Sequence, residues 1–193
     1  GSAWGYVLIT GHTSTTVVTV TVLNTLTNAN AKATWRLGLW SDTTGFPSCG
    51  TFYDDRLFLA GAATAPQRLD GSKTGLYTDF SPSATDGTVA ADNAVAFTLN
   101  ADDVNAIKWL VSAEKGLLAG TSRGEWQMRP STQNEAITPT NITGKPATRH
   151  GSADVAPVSS GKAVLFVQRA ARKLREMAYV FEADGFKAPD MTL

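Results

Sequence analysis

The sequence predicts an all-β fold: antiparallel sheets arranged as partial, propeller-like blades, preceded by an N-terminal β-hairpin element. Three observations carry that expectation. Val18, Val20 and Val22 alternate with Thr19 and Thr21, the period-2 pattern of a half-buried strand. Similar apolar segments, RLFLAG (56–61), GLLAGT (116–121) and AVLFVQ (163–168), recur at a spacing of roughly 50 residues, which suits four-stranded propeller blades. No part of the chain offers the several long amphipathic helices of an α/β fold.

The elements follow in chain order. Tyr6 to Thr10 is a short β-prone run, Gly11 to Ser14 carries turn chemistry, and the Val/Thr strand comes next. TNANAK (27–32) breaks the chain. ATWRLGLW (33–40) alternates again, with Trp35, Leu37 and Leu39 on one face. SDTTGFP (41–47) reads as a loop between two modules, so residues 1–40 form an N-terminal β element and 41–193 the blades. Within 1–40, Gly1 and Ser2 read as a scar from an expression tag.

After the boundary, CGTFYDDRLFLAG (49–61) ends in an apolar strand and LDGSKTGLYTDFS (69–81) is rich in turns. Residues 105–130 read as strand, turn at Glu114–Gly116, strand, turn at Ser122–Gly124, strand. Residues 161–185 repeat the theme. Two segments also match helical criteria. In 102–113, Val104, Ile107, Leu110 and Val111 fall at helical spacing behind Asp102 as an N-cap. In 168–178 the composition favours helix. The β-prone run from Ile107 to Val111 feeds directly into a turn, so we read the first as a strand, and we read the second as a hairpin.

Composition narrows function. The 193 residues are 42% hydrophobic and 18% charged, with 17 basic and 17 acidic side chains. A net charge of zero supplies no global field toward nucleic acid or an anionic membrane. Cys49 is the only cysteine, which excludes an internal disulfide and a cysteine-based zinc site. His12 and His150 are the only histidines, too few for most histidine metal sites. No apolar run reaches the roughly 20 residues of a membrane helix.

Chemistry candidates are few. Gly120–Gly124, GTSRG, matches the G-x-S-x-G nucleophile elbow. An elbow runs from strand into helix, whereas EWQMRP is short, alternating and stopped by Pro130. The only acids between Ser122 and His150 are Glu125 and Glu135, and Glu125 is almost adjacent to the serine. GTSRG therefore reads as a hairpin turn, with Gly124 supplying a positive φ. Asp54 and Asp55 are neighbours, so they read as turn residues rather than a paired acid and base. Asp79, Asp86 and Asp92 lack calcium-loop spacing. Asn141-Ile142-Thr143 matches a glycosylation sequon. Arg169, Arg172, Lys173 and Arg175 form the one basic cluster, a candidate channel or interface surface set against a solvated hairpin tip. Trp4, Trp35, Trp40, Trp109 and Trp126 are spread through strand-like runs, which favours packing over ligand stacking for most of them. No catalytic residue, cofactor or metal site is expected.

Several ordered blocks together resemble one family: WRLGLWSDTTGFPSCGTFYDDRLFLAG, GLYTDFS, GLLAGTSRGEWQM, PTNIT, and the run from HGSADVAPVSS to the end of the chain. They resemble the tail nozzle proteins of short-tailed bacteriophages, also called tail tubular or phage stabilisation proteins and common in prophages. The resemblance covers residues 33–193 and rests on block order. It implies a propeller-based subunit of a hexameric ring below the portal and adaptor, offering attachment surface to fibres or spikes. Such a ring retains the genome and then lets DNA pass without sequence-specific binding. The implied location is the virion tail, after assembly in the host bacterium's cytoplasm, with no membrane and no enzymatic role. Members of that family are several times longer, which implies that this chain is a fragment. A closed propeller has roughly four to eight blades, and about three are expected from Gly50 onward. An unclosed set exposes sheet edges, which invites covering or self-association. The alternative is a propeller-like module that binds a glycan or protein ligand on its loops.

Overall fold

The computed structural model describes residues 5–24, 26, 28–33, 35, 37–84, 86–101, 104–132 and 134–192. Gly1, Ser2, Trp4 and Asp102, which figure in the expectations above, lie outside that set. The chain is all-β: its described strands form four antiparallel sheets, none closed into a barrel. The two helix-compatible segments resolve as strand and hairpin. Residues 107–113 are strand, and 168–173 turn the chain into a strand beginning at Leu174.

The first sheet is a two-stranded hairpin, β1 (Val7–Ser14) with β2 (Val17–Val22). The expected turn at Gly11–Ser14 is not there. Irregularities in register between Ile9 and Gly11 and between His12 and Ser14 absorb the extra residues, so β1 runs on to Ser14 and the chain reverses at Thr15-Thr16. Nearly every hairpin residue is exposed on both faces. The strand expected in 33–40 is also absent from its described residues. Trp35, Leu37 and Leu39 lie exposed, and alternation with no partner strand to pair with does not make a sheet.

Three four-stranded meanders follow. Blade 1 is β3 (Cys49–Tyr53), β4 (Arg56–Ala62), β5 (Ala65–Gly71) and β6 (Val95–Thr98). Blade 2 is β7 (Ile107–Ala113), β8 (Gly116–Thr121), β9 (Glu125–Pro130) and β10 (Ile142–Thr148). Blade 3 is β11 (Val158–Ser160), β12 (Ala163–Val167), β13 (Leu174–Val180) and β14 (Gly185–Lys187). The three recurring apolar segments of the sequence are the second strand of each blade. In every blade a two-residue turn joins the first two strands, closing Tyr53 on Arg56, Ala113 on Gly116 and Ser160 on Ala163. Asp54 and Asp55 make the first of these turns with φ of 47° and 54°, the paired left-handed geometry of a type I′ hairpin.

The blades stack in one direction with a constant rule. Counting from the two-residue turn, the second and fourth residues of the second strand face the preceding blade and the third faces the next. Phe58, Leu69 and Val95 of blade 1 pack against Leu117, Ala119, Trp126 and Met128 of blade 2 in one core. Trp109 and Leu118, on the opposite face of blade 2, pack against Val164, Phe166 and Met177 of blade 3 in a second core. Blade 2 is thus covered on both faces, and all six residues of β8 are buried. The indole of Trp109 lies over the bare backbone of Gly120, where an added Cβ would sit 1.9 Å from Trp109 Cε2. It meets the Phe166 ring at 5.7 Å between centroids. Of the four described tryptophans, Trp109 and Trp126 are core residues; Trp40 is half-buried edge-on to Phe80, and Trp35 is exposed.

One charged side chain organises blade 1. Arg56 is only 2% exposed, and its guanidinium donates to the carbonyl oxygens of Ser72 (2.7 Å), Asn93 (2.6 Å) and Ala91 (2.6 Å). These bonds pin both ends of the long loop between β5 and β6. Asp54 spans to blade 2, accepting the Ile137 N–H at 3.1 Å. Glu114 and Lys162, in matching turns of blades 2 and 3, form an exposed ion pair at 3.1 Å.

Two outcomes follow from this packing. Gly120→Ala forces the Trp109 ring off its seat, and urea unfolding is expected to show a loss of about 3 kcal/mol. Burial beside β4 pushes the Cys49 thiol up to about 11, so at pH 8 it stays protonated. Native Cys49 is therefore expected to react with a thiol reagent about a hundredfold more slowly than in the urea-unfolded chain. Equal rates would show that the sheet does not shield it.

Candidate functional site

The G-x-S-x-G segment sits at the end of β8 and the start of β9. β8 enters, residues 122–124 turn, and β9 leaves as a strand with Leu118 opposite Gln127 and Gly120 opposite Glu125. Thr121 holds the turn, its N–H and hydroxyl both donating to the Gly124 carbonyl, at 2.9 and 2.5 Å. The buried Asn105 amide oxygen accepts the Arg123 N–H at 2.9 Å and the Ser122 hydroxyl at 3.4 Å. Ser122 Oγ thus donates to an amide oxygen, which is no proton acceptor for a nucleophile. The glycine reading needs correction. Gly124 does not have a positive φ. It is there because a Cβ would lie 2.7 Å from the Thr148 carbonyl oxygen, where the next segment passes over the turn.

Glu125 is the group that sequence reasoning missed. It is fully buried, and its carboxylate accepts the Ser152 hydroxyl at 2.8 Å, the His150 backbone N–H at 3.3 Å and the Thr148 hydroxyl. Ser152 N–H then donates to the Thr121 carbonyl at 2.8 Å. The serine, the histidine and the acid of a hydrolase pattern do come together here. Their geometry is a clamp, because the acid holds the backbone of His150 and two hydroxyls. It fastens the linker between blades 2 and 3 onto the turn.

The remaining candidates separate. In the basic cluster, Arg169 and Arg172 stand exposed on the β12–β13 turn. Lys173 pairs with Asp190 at 2.6 Å. That ammonium, with the Thr192 hydroxyl and N–H, holds the Asp190 carboxyl well below the usual range. Arg175 turns inward and donates to Gln168 Oε1 at 2.8 Å and to the Ala188 carbonyl at 2.6 Å. It lines an open groove of about 710 Å³ between the outer strands of blades 2 and 3, with Arg149, His150 and Lys187 along the same walls. Those positions are distant in sequence, so no charge run announced them. Asp54 and Asp55 are turn residues; Asp55 accepts the Tyr77 hydroxyl at 2.7 Å. Asp79 and Asp86 accept the N–H two residues on, from Ser81 and Thr88, as turn aspartates do. The Asn141 amide nitrogen donates to the Ala136 carbonyl at 2.9 Å. Among the described residues no group of His, Cys, Asp and Glu is placed to hold a metal ion. No described helix is long and apolar enough to cross a membrane. Compared with known families and curated proteins, the chain matches no family model and no curated sequence.

The clamp makes opposite demands on the two residues of the apparent motif. Glu125→Ala strands the buried Ser152 hydroxyl, the half-buried Thr148 hydroxyl and an N–H, and is expected to cost about 3 kcal/mol in chemical denaturation. Ser122→Ala removes one long hydrogen bond at a part-exposed site and is expected to cost under about 0.5 kcal/mol.

Proposed function

We propose that the chain is a structural subunit of a phage or prophage tail nozzle, which works by assembly and not by catalysis. The observation that carries this reading is the N-terminal hairpin. From Tyr6 to Asn24 it has no Asp, Glu, Lys or Arg, and Leu8, Ile9, Val17, Val18 and Val22 are exposed. An isolated two-stranded hairpin is marginal in water, and its free edges are templates for another chain. Such an arm suits a component that is completed by its neighbours. The blocks that resemble nozzle proteins support the same reading. CGTFYDDRLFLAG spans the first hairpin of blade 1, GLLAGTSRGEWQM spans β8 and β9, and the closing block runs through blade 3. The hexameric ring, the portal, adaptor and fibre partners, and a place in the virion tail follow from that resemblance. Arg169 and Arg172 are the cations at an exposed tip. In a chain of zero net charge, contact with passing DNA is weak and salt-sensitive.

A second reading, a module that binds a glycan or protein ligand, is favoured by the groove between blades 2 and 3. Its Phe186, Val180 and Ala147 lining lies under a basic rim, the mixture of apolar surface and placed polar groups found in ligand sites. One experiment separates the two. Antibody raised against the chain is expected to decorate one end of the tail of particles induced from the source bacterium, seen by electron microscopy. Particles that carry no label would overturn the tail reading and leave the groove as the leading site.

A further inference from the structure

A net charge of zero hides how the charges of this chain are placed. Each blade is an antiparallel meander, so its first and third connections lie at one end of the strands. Its second turn and the linker to the next blade lie at the other end. Packing keeps the blades in line. Glu114 and Lys162, both in first turns, pair at 3.1 Å, and Asp54 of a first turn reaches Ile137 in a third connection. That end is acidic. Asp54, Asp55, Asp86, Glu114, Glu182 and Asp184 stand exposed there, and among the described residues its exposed cations are Lys115 and Lys162.

The opposite end is basic where blades 2 and 3 meet. Three segments converge on Gly151: the turn 121–124, the linker 148–153 and the turn 168–173. A Cβ added to Gly151 would lie 2.7 Å from the Ser122 carbonyl oxygen and 3.3 Å from Arg169 Cβ. One added to Gly124 would lie 3.5 Å from Arg149 Cα. The Arg169 N–H donates to the Gly151 carbonyl at 2.9 Å. Arg123, Arg149, Arg169 and Arg172, distant in sequence, are therefore gathered at one end, and all four are exposed. The three segments contain no Asp or Glu. Of the acids alongside, Glu125 is buried in the clamp, Asp190 pairs with Lys173 at 2.6 Å, and Asp154 lies 4.0 Å from Lys108. Among the described residues Arg149, Arg169 and Arg172 have no ion-pair partner.

We propose that this arginine surface binds the phosphodiester backbone of a nucleic-acid duplex. Guanidinium groups match phosphate oxygens in bidentate fashion. The three segments hold no Phe, Tyr or Trp, so nothing there stacks an unpaired base, and contact is to the backbone without regard to sequence. The acidic end repels the same polymer, which confines contact to the arginine end. The inference goes beyond the tail reading, since it concerns the isolated chain and needs no ring and no virion.

The test is fluorescence anisotropy of a labelled DNA duplex titrated with the full chain over a range of salt. Binding is expected to be weak, with Kd about 10–100 µM, and to fall with a log–log salt slope of about −3 for three phosphate contacts. Inorganic polyphosphate is expected to displace the duplex. Arg149→Glu with Arg169→Glu is expected to weaken binding at least about tenfold, with the unfolding transition of the unaltered chain retained. Lys115→Glu with Lys162→Glu makes the same change in net charge at the acidic end, and is expected to leave binding unchanged within about twofold. No binding at low salt overturns the proposal, and so does equal loss in the two double variants, which makes the effect one of total charge. Failure of polyphosphate to compete removes the backbone as the ligand. Salt-sensitive self-association that the arginine variant abolishes, without DNA binding, makes the acidic end of a second copy the occupant instead. None of these results alters the antibody labelling that tests the tail reading.

Discussion

The β8 segment Gly116–Thr121 carries no charge and leaves no residue in contact with water. Both sides of blade 2 must therefore be covered, and the covering blades supply the two cores from which the rest of the stack follows. Burying an aliphatic side chain such as Leu117 or Leu118 contributes roughly 1.5–3 kcal/mol. The Trp109 ring lies close over Gly120 and also meets Phe166 of blade 3. The indole N–H of Trp109 is the one buried side-chain polar atom without a partner among the described residues. Its desolvation, about 1–3 kcal/mol, is the cost of seating so large an apolar surface at the blade 2–blade 3 junction.

Stacked sheets leave their connections as the weak points, and the buried polar groups of this chain sit at those connections. Arg56 gathers carbonyls from both ends of the β5–β6 loop. Glu125 gathers hydroxyls and an N–H from the linker into blade 3. Burial draws the Arg56 guanidinium below its ordinary value, while Asp92 and Asp54 oppose that shift, so the charge is retained beside acidic neighbours. Each clamp is a fully engaged network, the form in which a buried charge stabilises rather than disrupts. The same logic explains why a pattern that mimics a nucleophile elbow folds as a strand–turn–strand clamp. Its acid is committed to the backbone 25 residues away at His150.

Strands, turns and their order were legible because they rest on neighbours in sequence. Period-2 alternation, Gly-containing turns and the recurrent apolar second strands are local signals, and β8, β9 and their turn fall where the residues place them. The two failures of secondary structure have one cause. In Gly11–Ser14 the turn residues were outvoted by strand pairing, which bulges allowed to continue to Ser14. In 33–40 the alternation was real but had no partner. Local pattern describes what a segment can do, and pairing decides whether it does it.

The chain's own sequence determined an all-β stack of about three meanders, because covered strands need continuous apolar runs and tight hairpins need particular turn residues. It also removed disulfides, for the arithmetic reason that Cys49 stands alone. Only the tertiary structure decided which carboxylate matters. Glu125 looked like an ordinary residue beside a serine until residues 148–152 folded back onto it. Only the tertiary structure split the 169–175 basic run, sending Arg175 inward beside Arg149, His150 and Lys187 and pairing Lys173 with Asp190. Contacts between residues far apart in the chain are set by how sheets stack, and no short stretch of residues records that stacking.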